Sequence, residues 1–113
     1  MNLPKASISD RRAHDRHAIR TAAQISLPDG RLLPARLLDV GEGGAGVVCD
    51  LNLPVGTTLG LRMKLPARPS GSVVFEASAV VRNCTLSSSD DGFRLGLEFE
   101  SLSAAAMEAL KGL

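Results

Sequence analysis

Arginine is the side chain that can bond a phosphate through its planar fork and also stack on a flat ring, and this chain concentrates it near one end. Arg11, Arg12, Arg16 and Arg20 follow one another closely, opposed locally by Asp10 and Asp15. Further on, Asp39-Val40-Gly41-Glu42-Gly43-Gly44-Ala45-Gly46 sets a carboxylate before four glycines in six residues. Glycine allows positive φ and lets another molecule approach the main chain, so this stretch reads as an anion-cradling or ligand-facing turn. Together the two stretches suit a small phosphate-bearing ligand with flat rings.

Other chemistries lack their residues. Gly41-x-Gly43-x-x-Gly46 has the spacing of a dinucleotide fingerprint, which requires a helix to begin at the glycines. Val47-Val48-Cys49-Asp50 and then Pro54 follow instead, and no Gly-Lys-Ser/Thr supplies a P-loop. His14 and His17 lie near Asp10 and Asp15, but no second pair has ligand spacing, so no metal site is expected. No serine or cysteine nucleophile is tied by motif to a histidine and a carboxylate, which points away from an enzyme. The chain has no Trp or Tyr, and its three phenylalanines, Phe75, Phe93 and Phe99, fall in core-like positions. With a net charge of +1 and no stacking platform, a nucleic-acid polymer is not the expected partner. Cys49 and Cys84 are isolated in apolar surroundings and read as packing residues.

The elements that must position these residues follow from hydrophobic period. With 113 residues the chain is one domain by size. Residues 1–17 have few apolar positions and read as a flexible basic arm, and residues 18–113 as the folded body. From Ile19, apolar residues alternate through Leu27, the mark of a half-buried strand, and Pro28-Asp29-Gly30 supplies a turn. A second strand is expected from about Arg31 to Leu38, with Pro34 placing it at an edge or a bulge. A short one follows around Val47-Val48-Cys49. The alternation Leu59, Leu61, Met63, Leu65 gives a fourth, Ser72 to about Leu86 a long and bulged fifth, and Phe93, Leu95, Leu97, Phe99 a sixth. Leu102, Ala106, Leu110 and Leu113 share the face of a short C-terminal helix. Six strands at this spacing with one helix indicate an all-β fold, a six-stranded antiparallel barrel whose closure removes unpaired edges.

Arg12-x-x-x-Arg16, directly preceded by Arg11 and leading into this barrel pattern, is followed after the second strand by Asp39-x-Gly41-x-x-Gly44. The order resembles that of the PilZ domain family of cyclic di-GMP receptors, whose motifs are R-x-x-x-R and D/N-x-S-x-x-G. The closing Gly96-Leu97-Glu98-Phe99 and the terminal helix are similar too. The resemblance implies that Arg12 and Arg16 hold phosphates and stack on guanine, that Asp39 reads a guanine edge, that Gly44 keeps the turn open, and that Arg11 influences whether one ligand or a stacked pair is bound. Gly41 stands where the family has serine, so that hydroxyl is missing. One neutral hydrogen bond is worth about 0.5 to 1.5 kcal/mol, so weaker binding is expected rather than none.

Ordering about ten arm residues costs on the order of 10 kcal/mol in backbone freedom, so the arginines must act as a set. The expected mechanism is ligand-driven ordering of the arm over the barrel, without turnover of the ligand. The output implied by the resemblance is control of motility, exopolysaccharide or biofilm formation through an unidentified effector protein. The alternative is an adaptor of the same family that binds no nucleotide, as in type IV pilus function. No apolar run approaches the roughly 20 residues of a membrane-spanning helix, and Met1 to Ser7 lack the apolar stretch of a secretory signal. The expectation is a cytoplasmic protein without membrane insertion and without a cofactor.

Overall fold

Alternating side chains give six strands, and in the computed structural model, which describes residues 16–113, they close on one another. The strands are β1 (Arg16–Ser26), β2 (Leu32–Gly41), β3 (Gly44–Cys49), β4 (Thr58–Pro66), β5 (Ser72–Ser87) and β6 (Gly92–Ser101), followed by helix α1 (Ala104–Lys111). Every pairing is antiparallel and the order around the barrel is β1-β2-β3-β6-β5-β4. Closure rests on β1, which pairs with β2 along its length and with β4 from Ala23↔Met63 to Ser26↔Gly60.

The inward positions of each strand fill the lumen. Ile25, Leu37, Val40, Leu61, Leu65, Phe75, Val81 and Leu95 are all at most 1% exposed, and Phe75 and Phe99 meet with ring centroids 5.4 Å apart. The buried Cys49 thiol is pushed up by its burial, stays protonated, and donates to the Leu51 carbonyl at 3.3 Å. Pro34 fits because β2 meets β3 only from Ala35↔Cys49 onward, so on that side no ladder bond is lost. The turn between β1 and β2 uses Gly30 at φ 92°, and Asp29 accepts from both the main chain and the guanidinium of Arg31.

Helix α1 lays Ala106, Ala109 and Leu110 against the barrel, in contact with β5. Its start is fixed by Ser103, whose Oγ accepts from the Ala106 N–H at 3.0 Å. Replacing such a cap by alanine removes about 1 kcal/mol. Ser103→Ala should therefore lower the thermal midpoint by roughly 4 °C for a chain of this size, as read by circular dichroism.

Two boundaries differ from the sequence expectation, and both bear on the site. β1 begins at Arg16 rather than near Ile19, so Arg16 and His17 are strand residues paired with Gly41 and Val40. β2 runs on to Gly41 and β3 begins at Gly44, which leaves only Glu42 and Gly43 between them. The glycine-rich stretch is thus mostly strand, and its glycines are not among the positive-φ positions of the described residues, which are Gly30, Gly56, Gly71 and Asp91. Here glycine serves closeness of packing, not a left-handed bend.

Candidate ligand-binding site

Asp39 owes its position to an irregularity in β2. Leu37 pairs with Val47 and Asp39 with Gly46, so β2 spends two residues where β3 spends one. Such a bulge re-aims a side chain: Leu37 and Val40 face the core while Asp39 lies outside it. Its Oδ1 accepts from the Gly46 N–H at 3.0 Å and from Arg16 Nη1 at 3.1 Å. Among the described residues no donor bonds Oδ2. The carboxylate is fixed by one oxygen and keeps acceptor capacity on the other.

Glycines line the strands beside this pair: Gly41 is opposite Arg16, Gly46 is opposite Gly96, and Gly44 stands two residues before Gly46 on β3. Gly44, Gly46 and Gly96 are each required by a neighbour. A Cβ on Gly44 would run into the main chain at Leu97, with the carbonyl carbon at 3.1 Å and the oxygen far nearer, and would stand 3.1 Å from Arg16 Nη2. A Cβ on Gly46 would stand 3.1 Å from Asp39 Oδ1, and one on Gly96 2.5 Å from Asn83 Nδ2. This glycine floor is covered: Arg16 lies over Gly44, Asp39 over Gly46 and Asn83 over Gly96, and Gly41, Gly44 and Gly46 are themselves buried.

Across the floor, β5 supplies the opposite rim. It too is bulged, between Val81 and Asn83, which places Asn83 opposite Gly96. Arg82 beside it is ion-paired with Glu98. The Gly43 carbonyl accepts from the Phe99 N–H at 3.0 Å, tying the short β2–β3 connection to β6. The site is thus built on rigid strands, not on a loop, which favours a fixed ligand geometry.

The residues singled out from sequence fall in two groups. Arg16, Asp39, Gly41 and Gly44 come together on this outer wall, while Arg11 and Arg12 lie outside the described residues, as does His14 of the rejected metal set. Gly44 does not open a turn; it lets β3 lie against β6 and Arg16 cross above it. Asn83 and the floor position of Gly96 were not singled out, because their place depends on the β5–β6 register after a bulge, which no local pattern encodes. Among the described residues no group of three or more His, Cys, Asp or Glu could hold a metal, and no helix is long and apolar enough to cross a membrane.

The molecule is thus a small closed six-stranded barrel that carries an arginine–carboxylate pair beside buried glycines. The chain belongs to the PilZ domain family, whose model matches residues 10–113. Among solved structures it is similar to the Bacillus subtilis inhibitor of motility (MotI/DgrA), with a TM-score of 0.74 and 22% identity over 87% of this chain. It spans 47% of that protein, about half its length. It is also similar to the PilZ domain of YcgR from Escherichia coli, solved with c-di-GMP, with a TM-score of 0.66 and 20% identity over 89% of this chain and 86% of that one. No match was found among curated proteins.

Proposed function

We propose that this protein is a cytoplasmic receptor for cyclic di-GMP that binds the nucleotide without turning it over and passes the signal to an effector protein. The observation that carries the reading is the Arg16–Asp39 pair, 3.1 Å apart beside the glycines of β2 and β3. The two groups match the two halves of the ligand: the guanidinium takes phosphate and stacks on a purine, and the carboxylate accepts the paired N–H groups of a guanine edge. Arg11 and Arg12, by the family motif, would add to the charge of Arg16, and Gly44 lets the Arg16 guanidinium cross close above β3. The E. coli neighbour was solved with the same nucleotide, and the B. subtilis neighbour is an inhibitor of motility by name, which supports motility or biofilm control as the output.

The ion pair does not stand in the way of binding. Arg16 is 42% and Asp39 28% exposed in their side chains, and a pair in that setting is worth about 0 to 1 kcal/mol. Charge-assisted bonds to a phosphate contribute about 1.5 to 3 kcal/mol each, so a ligand can draw the guanidinium away at small cost. Until then Asp39 keeps Arg16 over the floor.

Titration calorimetry of the full chain should give saturable heat with cyclic di-GMP and much weaker binding of cyclic di-AMP, because adenine lacks the donor pair that Asp39 requires. Asp39→Ala should lower affinity for the guanine ligand about tenfold or more and narrow the gap between the two nucleotides. Equal binding of both by the native protein would remove Asp39 from the recognition role. Absence of heat with either would favour the second reading, an adaptor that acts through protein contacts alone. Gly41 is the residue in its favour, since it carries no hydroxyl for the ligand.

A further inference from the structure

The row Asp39↔Gly46↔Gly96↔Asn83 runs straight across four strands. Its two ends are alike. Each is a polar residue at a bulge, and each side chain lies over the glycine beside it: the Asp39 carboxylate 3.1 to 3.4 Å from the Cβ position of Gly46, the Asn83 amide 2.5 to 2.9 Å from that of Gly96. Cβ positions on such a strand pair stand about 5 Å apart, so the carboxylate and the amide lie side by side over the Gly46–Gly96 pair, which they cover. The amide makes no side-chain hydrogen bond among the described residues. Asn83 is exposed, and its neighbour Arg82 is engaged by Glu98.

We propose that Asn83 is a second base-recognition residue of this site, contacting the acceptor edge of the guanine whose donor edge meets Asp39. The assignment rests on the cyclic di-GMP reading above. A carboxylate accepts only, so Asp39 can serve the N–H groups of guanine and nothing else. The O6 and N7 atoms of the same ring are acceptors and need a donor. On the rim facing Asp39 the unengaged donor is the Asn83 amide, which turns its NH₂ or its oxygen toward the ligand by a flip. The two glycines let the carboxylate and the amide lie low and close together, so that both can meet the edge of one ring.

The test titrates cyclic di-GMP into the full native chain and into Asn83→Ala, with thermal unfolding of both in the absence of ligand. Loss of one hydrogen bond should weaken binding about three- to tenfold, while the unfolding midpoint stays within about 2 °C because Asn83 is exposed and, among the described residues, bonds no other side chain. Equal affinity of the two proteins overturns the role of Asn83 and leaves the receptor standing. A loss of affinity accompanied by a midpoint lower by about 8 °C or more assigns Asn83 to barrel stability and also overturns it. No heat with the native chain overturns the receptor reading and this assignment together.

Discussion

Arg16→Ala is expected to reduce affinity for cyclic di-GMP by about a hundredfold or more while the barrel stays folded. Two contributions are lost at once. A charge-assisted bond to phosphate is worth about 1.5 to 3 kcal/mol, and stacking on a base adds roughly 1 to 3 kcal/mol. Their sum, about 2.5 to 6 kcal/mol, corresponds to roughly two to four orders of magnitude at 1.4 kcal/mol per factor of ten. Stability changes little, because the partner lost is an exposed pair that contributes about 1 kcal/mol at most.

Arg16→Lys separates the two contributions. Lysine keeps the charge but has neither the fork nor the planar face, so it should restore part of the phosphate attraction and none of the stacking. The Arg12→Ala, Arg16→Ala double variant should give no saturable heat. Calorimetry at two salt concentrations checks the assignment further, since a phosphate contact weakens with ionic strength. Binding by the double variant as tight as that of the native chain would leave the arginines without a role in binding and the receptor resting on other residues.

The parts of this molecule legible in its sequence are those set by local period. β4 and β6 alternate cleanly between apolar and polar residues, and in the barrel Leu59, Leu61, Met63 and Leu65, like Leu95, Leu97 and Phe99, are buried. Asp39 and Arg16 were legible by motif, because spacing along the chain survives folding. What a glycine does was not legible from its neighbours. Four glycines in six residues suggested a turn, yet three of them, Gly41, Gly44 and Gly46, lie in strands; Gly44 admits the Leu97 carbonyl and the Arg16 guanidinium, and Gly46 the Asp39 carboxylate. For Gly44 the requirement comes from β6 and β1, about fifty residues downstream and about thirty upstream, and for Gly46 from the bulge in β2. Asn83 was hidden for the same reason. Its partner Gly96 is chosen by a bulge that shifts β5 by one residue, and a one-residue shift sends a side chain to the opposite face.

Gly44→Ala carries the largest expected effect on folding. The added methyl would meet the Leu97 main chain, which cannot rotate away as a side chain could. Gly44↔Glu98 is the first pair of the β3–β6 ladder, so β3 must either part from β6 at that end or shift as a whole. Forcing an extra methyl into a packed position costs about 1 to 3 kcal/mol, which for a chain of this size is a fall of roughly 4 to 12 °C in thermal midpoint. Affinity should fall as well, because Arg16 Nη2 stands 3.1 Å from the same point and would be pushed off the floor. Gly46→Ala is the control: there the added methyl meets the Asp39 carboxylate at 3.1 to 3.4 Å, which can swing outward, so binding should suffer with little change in midpoint. If differential scanning calorimetry found the two variants equally stable, the close approach of β3 to β6 at Gly44 would not be what that glycine is for.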